Sequence, residues 1–246
     1  MNNSTLFSRK SRWFVLMLAV AVLSSCNWLI KETVRGSGII LDEIRQLSAF
    51  HSISMGISAD LFFTVEFAQS FRIVGDDNIL QVVETTVKPD GTLEILSPKN
   101  FRPTTRVKIF VSMTEVRAFS LSGDGTLLGQ FPFAASDLIL IVSGSGSMEM
   151  NVTVGQITSS ISGSGSIRLS GNTAVHTINI SGSGSLSALD LDTVRSDIRI
   201  SGSGECYVFV QQFLDADISG SGNVNYKGSP TITSNISGSG QLIKLD

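Results

Sequence analysis

Ser-Gly-Ser-Gly recurs six times in the last 104 residues of this 246-residue chain, starting at Ser143, Ser162, Ser181, Ser201, Ser219 and Ser237. The steps between copies are 19, 19, 20, 18 and 18 residues, and a degenerate copy, Ser122-Gly123-Asp124-Gly125, lies 21 residues before the first. A short core repeated at a near-constant period marks a stacked architecture, in which each repeat touches only its neighbours.

The residues around the core say what is stacked. The position before the first Ser is Leu121, Val142, Ile161, Ile180, Ile200, Ile218 and Ile236. The position five after it is Leu127, Met148, Ile167, Leu186, Cys206, Val224 and Leu242. These apolar offsets share one parity, and a period of two is the signature of a strand with one buried face. A coil of about 19 residues holds two or three short strands, and coils stacked about 4.8 Å apart pair them in parallel. The reading is an all-β chain, a parallel β-solenoid (β-helix) of about 19-residue coils with a less regular N-terminal β part. A Gly/Ser-rich linker of similar composition would not keep aliphatic residues at fixed offsets from every Gly. The two Gly of each copy fall at inward parity and the Ser at outward parity. Each copy is therefore expected to be a corner or pinch where no Cβ fits. The outward residues Ser143, Ser145, Ser162, Ser164, Ser181, Ser183, Ser201, Ser203, Ser219, Ser221, Ser237 and Ser239 form a candidate surface ladder of hydroxyls.

The N-terminus reads as an address. Arg9, Lys10 and Arg12 precede an apolar stretch of 11 residues, Trp13 to Leu23, which suits a signal peptide and is short for a membrane span. It ends in Leu23-Ser24-Ser25-Cys26, similar to a bacterial lipobox. That resemblance implies that residues 1–25 are removed and that Cys26 carries the acyl chains, with residues 26–35 as a tether. The expected location is the bacterial cell envelope, lipid-anchored at the outer membrane. Cys206, the other cysteine, then has no partner and replaces an aliphatic residue of the other coils, as a buried small hydrophobe does.

Residues 36–246 are expected to form a single solenoid domain, with irregular coils over 36–120 and regular ones over 121–246. In the irregular part, Met55 takes the upstream aliphatic position and Gly56-Ile57-Ser58-Ala59 replaces the repeat core. Leu61 and Phe63 then fall at the downstream apolar positions. Strands are predicted at Phe71 to Val74, Thr92 to Leu96 and Val107 to Met113, with a hairpin-type turn at Asp90-Gly91. Asn78 to Val87 reads as a short helix with Asn78 near its start, or as another strand, and is assigned as helix.

Four features together resemble one family: the Phe50-His51-Ser52-Ile53 entry, the Gly75-Asp76-Asp77-Asn78 turn before Ile79-Leu80, the Gly91-Thr92-Leu93-Glu94-Ile95 strand and the Ser-Gly-Ser-Gly ladder. They are similar to the putative auto-transporter adhesin, head GIN domain family of bacterial envelope proteins. The resemblance covers about residues 36–246. It implies a parallel β-solenoid and an envelope location, and it supplies no substrate.

Residues with catalytic chemistry are sparse. The two histidines, His51 and His176, are 125 residues apart, and His176 is expected in an exposed connection between repeats. Asp190, Asp192, Asp197, Asp215 and Asp217 are read as solvated turn residues, since the repeated-Asp pattern of calcium-binding solenoids is absent. No Gly-Lys-Ser/Thr follows the Gly-Ser strings, so they are not a phosphate loop. A net charge of −3 argues against nucleic acid. The expectation is no enzyme, no cofactor and no metal. The membrane is a partner through the lipid, and the leading function is a non-catalytic binding, adhesion or structural module for a glycan or protein. An envelope polysaccharide-processing enzyme on a β-helix scaffold and an ordered-hydroxyl, ice-like surface binder are the alternatives.

Overall fold

Parallel pairing in register sets each repeat directly on the next. The computed structural model describes residues 32–246, of which 33–246 are one compact unit. Its first part contains β1 (Thr33–Arg35), β2 (Ile40–Ile44), β3 (Ser52–Met55), β4 (Ala59–Val65), β5 (Ser70–Asp76), a short α1 (Asp77–Leu80), β6 (Glu84–Val87), β7 (Thr92–Leu96), β8 (Asn100–Arg102) and β9 (Val107–Met113). The repeats follow as β10 (Ala118–Gly123), β11 (Thr126–Gly129), β12 (Phe133–Gly144), β13 (Ser147–Gly163), β14 (Ser166–Gly182), β15 (Ser185–Gly202), β16 (Glu205–Gly220), β17 (Asn223–Lys227), β18 (Thr231–Gly238) and β19 (Gln241–Lys244). Strands β13 to β16 each run round nearly a whole coil and break only at the second Ser-Gly of the repeat core.

The register aligns Ser143, Ser162, Ser181, Ser201, Ser219 and Ser237 in one row. Inside, Val142, Ile161, Ile180, Ile200 and Ile218 form one column, with Met148, Ile167, Leu186, Cys206 and Val224 in another, all buried. Each such side chain contributes about 1.5–3 kcal/mol on burial.

The repeat core makes the corner between these columns. Its first Gly takes a left-handed conformation, φ +111° at Gly182, and a Cβ there would lie 2.7 Å from the Gly163 carbonyl oxygen of the coil below. At the second Gly, a Cβ on Gly184 would lie 2.4 Å from Ile161 Cγ2. The closeness is used: Ser183 N–H donates to the Gly163 carbonyl at 2.9 Å and Ser185 N–H to the Gly165 carbonyl at 3.0 Å. On the far side the inward parity flips, between Val154 and Ile157 in one coil and between Thr173 and His176 in the next. The corner there has no fixed sequence.

The order of coils differs from the order of the chain. β3 pairs with β10, as Met55 opposite Leu121, and also with β7, as Met55 opposite Ile95. β4 likewise lies between β11 and β9. The coil of residues 52–65 therefore sits second, and the later segment 92–113 stacks outside it. Residues 36–120 are thus not a run of successive irregular coils. The open edges of the outer coil are covered by reversed strands: β6 runs antiparallel to β7, β5 antiparallel to β9, and β2 antiparallel to β5. Reversal ends the parallel stack and protects its edge.

The predicted helix over 78–87 is shorter than expected. α1 covers Asp77–Leu80, residues 81–83 turn, and Glu84–Val87 form β6, the strand alternative. The Arg45 guanidinium takes the carbonyls of Leu80 at 2.9 Å and Val83 at 2.7 Å, which ends the helix, and β-branched Thr85, Thr86 and Val87 pair with β7. The Gly75-Asp76-Asp77-Asn78 turn serves as a clamp. The fully buried Asp76 carboxylate accepts from Gly38 N–H at 2.8 Å, Thr104 N–H at 2.9 Å and Thr104 Oγ1 at 2.6 Å. Burial alone would raise its pKa, but these bonds and one from Thr105 outweigh it and hold the carboxyl below its ordinary value. The clamp is thus complete above the ordinary carboxylate pKa and weakens as pH falls through the lowered value. Asn78 Nδ2 donates to the Arg35 carbonyl at 2.7 Å, so the turn also holds the segment entering from β1.

The corner geometry predicts opposite responses at neighbouring positions. Gly182→Ala and Gly184→Ala are each expected to lower the unfolding free energy by more than about 2 kcal/mol, through left-handed strain at one and a backbone and side-chain clash at the other. Ser183→Ala, on an exposed side chain, is expected to shift it by less than about 0.5 kcal/mol. Denaturant melts of the three variants check this; a tolerant Gly and an intolerant Ser would mean the hydroxyls face inward.

Candidate functional site

All twelve ladder serines are exposed. The two ranks differ in their surroundings. The first rank, Ser162, Ser181, Ser201 and Ser219, lines one side of a groove of about 400 Å³ that crosses five coils. Its other side is the outward column two residues upstream: Ile141, Ser160, Asn179, Arg199 and Asp217. Between the two walls runs the backbone of Val142, Ile161, Ile180 and Ile200, whose side chains are buried in the core; Ile141 is the exposed aliphatic side chain of the groove. The second rank, Ser145 to Ser239, does not line it. The upstream column carries no repeated residue in the sequence, because its type changes at every coil; its one signal is that it shares the outward parity of the ladder.

The side chains of Ser160, Asn179 and Arg199 make no hydrogen bond within the described residues. The ladder hydroxyls beside them are likewise without a hydrogen bond among the described residues, so both walls of the groove offer donors and acceptors to solvent or a ligand.

The aspartates read as turn residues are partly misplaced by that reading. All five lie on strands, because β15 and β16 continue through positions expected to be connections, and Asp197, Asp215 and Asp217 share one outward face. Asp197 faces Asp215 across the ladder and Arg199 faces Asp217. With Thr177, Arg195 and Asn235 they line a second hollow of about 370 Å³ that shares Arg199 and Asp217 with the first. Arg195 binds Asp197 at 2.8 Å, and Asn235 Nδ2 donates to Asp217 at 3.2 Å. Carboxylates from neighbouring coils are therefore grouped on one face, interleaved with arginines. Among the described residues no group of three or more His, Cys, Asp or Glu is arranged to hold a metal ion.

His176 is the largest departure from expectation. It is fully buried, in a column with Ile157, Ser196 and Leu214, because β14 runs unbroken through the predicted connection and emerges with inverted parity. Its Nε2 lies 2.9 Å from Ser159 Oγ, and Nδ1 is the buried side-chain polar atom without a partner among the described residues. Burial lowers its pKa from 6.5 to about 3, so the ring is neutral. It is a core residue, sealed from the groove. His51 is half-buried, with Nδ1 3.0 Å from Ser52 Oγ. Cys206 is buried; burial, then the adjacent Glu205 carboxylate, push its thiol well above the ordinary range, which leaves it an inert hydrophobe. Cys26 and the signal segment before it lie outside the described residues.

The sequence profile of the putative auto-transporter adhesin, head GIN domain family matches residues 49–230. Three crystal structures are similar. One is a putative adhesin from Bacteroides fragilis NCTC 9343, with TM-score 0.82 and 22% identity over 86% of this chain and 100% of that one. Another is a putative lipid binding protein from Parabacteroides distasonis ATCC 8503, with TM-score 0.75 and 26% identity over 87% and 100%. The third is a putative adhesin from Parabacteroides merdae ATCC 43184, with TM-score 0.73 and 20% identity over 87% and 100%. No curated protein matches the sequence.

The buried imidazole predicts an acid-sensitive core. The folded-state pKa of His176 lies below the unfolded value, so its neutral form supports the fold fully above pH 6.5, and that support is lost as pH falls toward 3. The loss approaches about 1.4 kcal/mol per pH unit over that window. His176→Leu, matching Leu214 in the same column, is expected to flatten this part of the profile. Melting curves of both proteins from pH 7 to 4 check it; parallel profiles would mean the ring charges freely in the fold.

Proposed function

Because the chain belongs to the putative auto-transporter adhesin, head GIN domain family, we propose that it is a lipid-anchored, non-catalytic binding module of the bacterial cell envelope, which holds a glycan or protein ligand in the groove beside the first serine rank. The observation that carries this is the groove itself, which crosses five coils and where Ser160, Asn179 and Arg199 present unpaired hydrogen-bonding groups opposite the serine rank, with the exposed Ile141 at one end. Concave sites with an apolar lining and a few convergent polar groups are the usual form of a ligand site. A sugar polymer suits it: its hydroxyls meet Asn179, Arg199, Asp217 and the serines, and a C–H face meets Ile141.

The uniform hydroxyl array needed for an ice-like surface is confined to the ladder, since the adjoining column runs from Ile141 to Asp217 with a different chemistry at each coil. The polysaccharide-processing alternative gains the grouped Asp197, Asp215 and Asp217, but Arg195 and Asn235 already engage two of them. The relative described as a putative lipid binding protein makes a lipid a second ligand class for the same test.

Two outcomes check the proposal. On glycan, matrix-protein and lipid arrays, the purified protein is expected to bind a ligand that Asn179→Ala and Arg199→Ala each weaken at least about tenfold, about 1.4 kcal/mol, with unchanged melting temperature. Ser145→Ala and Ser164→Ala on the second rank are expected to leave binding intact. No ligand on any array, or equal loss from both sets, overturns the groove assignment. For the anchor, Cys26→Ala is expected to abolish incorporation of labelled palmitate and release the protein from the membrane fraction; continued labelling refutes it.

A further inference from the structure

We propose that the capped end of the solenoid is a membrane-contact surface, seated on the lipid headgroups by exposed Phe and Ile side chains; the proposal rests on acylation of Cys26.

The first argument is covalent reach. Seven peptide steps join Cys26 to Thr33, at most about 25 Å of fully extended chain. No further slack is available from Thr33 onward. β1 is paired with β8, Gly36 N–H donates to the Arg102 carbonyl at 2.9 Å, Ser37 N–H to Asn78 Oδ1 at 3.0 Å, and Gly38 N–H to Asp76. An acyl chain on Cys26 therefore keeps the cap within that distance of the bilayer. The opposite end is eight inter-coil steps away, counting outward from Glu94 on β7 through Ser54, Ser120, Ile141, Ser160, Asn179, Arg199 and Asp217 to Asn235 on β18. At about 4.8 Å per step this is about 38 Å.

The second argument is what the cap displays. Exposed apolar side chains scattered singly are ordinary; the far end shows Phe213, Ile232, Ile236 and Ile243 at 37–50% exposure, and the cap shows more of them, with Ile44 at 68% and Phe67 at 108%. β2 is the outermost strand of the cap, and Ile39, Ile40, Leu41 and Ile44 on and beside it are all exposed. Ile44 borders a hollow of about 510 Å³ together with Phe110 and the exposed Phe131. Phe67, in the turn after β4, is fully exposed beside Glu66 of the same hollow. The row continues inward as Arg72 over the Phe110 ring at 4.1 Å and Phe110 stacked on Phe62 at 5.2 Å.

The charges fit a headgroup layer. The acidic side chains of β2 are neutralised, Asp42 by Arg72 at 2.9 Å and Glu43 by Arg45 at 2.9 Å. Arg35 and Arg102, in register on β1 and β8, are exposed where the chain enters. Aromatic and aliphatic tips with arginines beside them are the side-chain set of an interfacial contact.

The test uses the full acylated protein in vesicles of phosphatidylethanolamine and phosphatidylglycerol. Wild type is expected to take no thiol label, since Cys26 is acylated and Cys206 is buried. Phe67→Cys and, at the far end, Ser237→Cys each add one exposed thiol for an environment-sensitive fluorophore. The dye at position 67 is expected to be blue-shifted and quenched several-fold more strongly by nitroxide-labelled lipids than the dye at position 237. Phe131→Cys repeats the comparison should the position-67 variant melt early. If palmitate is incorporated but positions 67 and 131 are quenched no more than 237, the contact surface is overturned while the anchor stands. If no palmitate is incorporated, the anchor reading fails and takes this proposal with it.

Discussion

The fold depends on one close approach of backbone to backbone. At each repeat corner the carbonyl of one Gly lies where the Cβ of the next coil's Gly would be, 2.7 Å between the Gly182 position and Gly163 O. Any side chain there would push two coils apart and break the hydrogen bonds that Ser183 and Ser185 donate to Gly163 and Gly165. Because the same contact recurs at every rung, spacing and register are set at one corner and transmitted through the stack. Nearest-neighbour coupling makes such a stack cooperative, so strain at one corner is felt by two interfaces.

A stack of parallel strands has no natural end, and this chain supplies one by leaving sequence order. After the coil of β3 and β4 it departs into β5, α1 and β6, returns through β7 and β9 on the outside, and only then crosses back to β10. The antiparallel strands β2, β5 and β6 close the edge. Asp76 holds this excursion together, through bonds to Gly38 on one side and Thr104 on the other that outweigh the cost of burying its charge.

What could be read from the sequence follows from how local each constraint is. The repeat corner is local: Gly at fixed offsets and aliphatics at constant parity are written in every copy, and Met55, Leu61 and Phe63 fall in register with Leu121, Leu127 and Gly129 despite the missing Ser-Gly-Ser-Gly. The far corner is not local. It inverts parity at Gly155 in one coil and near Ala174 in the next, so His176 looked like a loop residue and is a core residue. The crossing of β7 and β9 outside β3 and β4 rests on pairings between distant segments, with no periodic signal. The groove was half legible: its serine rank repeats, and its other wall does not.

That difference between the walls is itself informative. The glycine corner and the aliphatic columns tolerate almost no change, so each coil delivers its outward residues at the same height and spacing whatever they are. The column Ile141, Ser160, Asn179, Arg199, Asp217 uses this freedom fully, with an aliphatic, a hydroxyl, an amide, a guanidinium and a carboxylate on successive rungs. Apart from the bond that Asp217 accepts from Asn235 on the next coil, none of these side chains ties one coil to another; the ladder between coils is made by backbone. Side chains released from structural duty can be chosen for an external partner at little cost in stability, and a rigid, evenly ruled wall also spares the entropy of ordering them on binding. The serine rank opposite supplies the constant side of the groove and the variable column its chemical identity, so a change of ligand needs only substitutions in that one column.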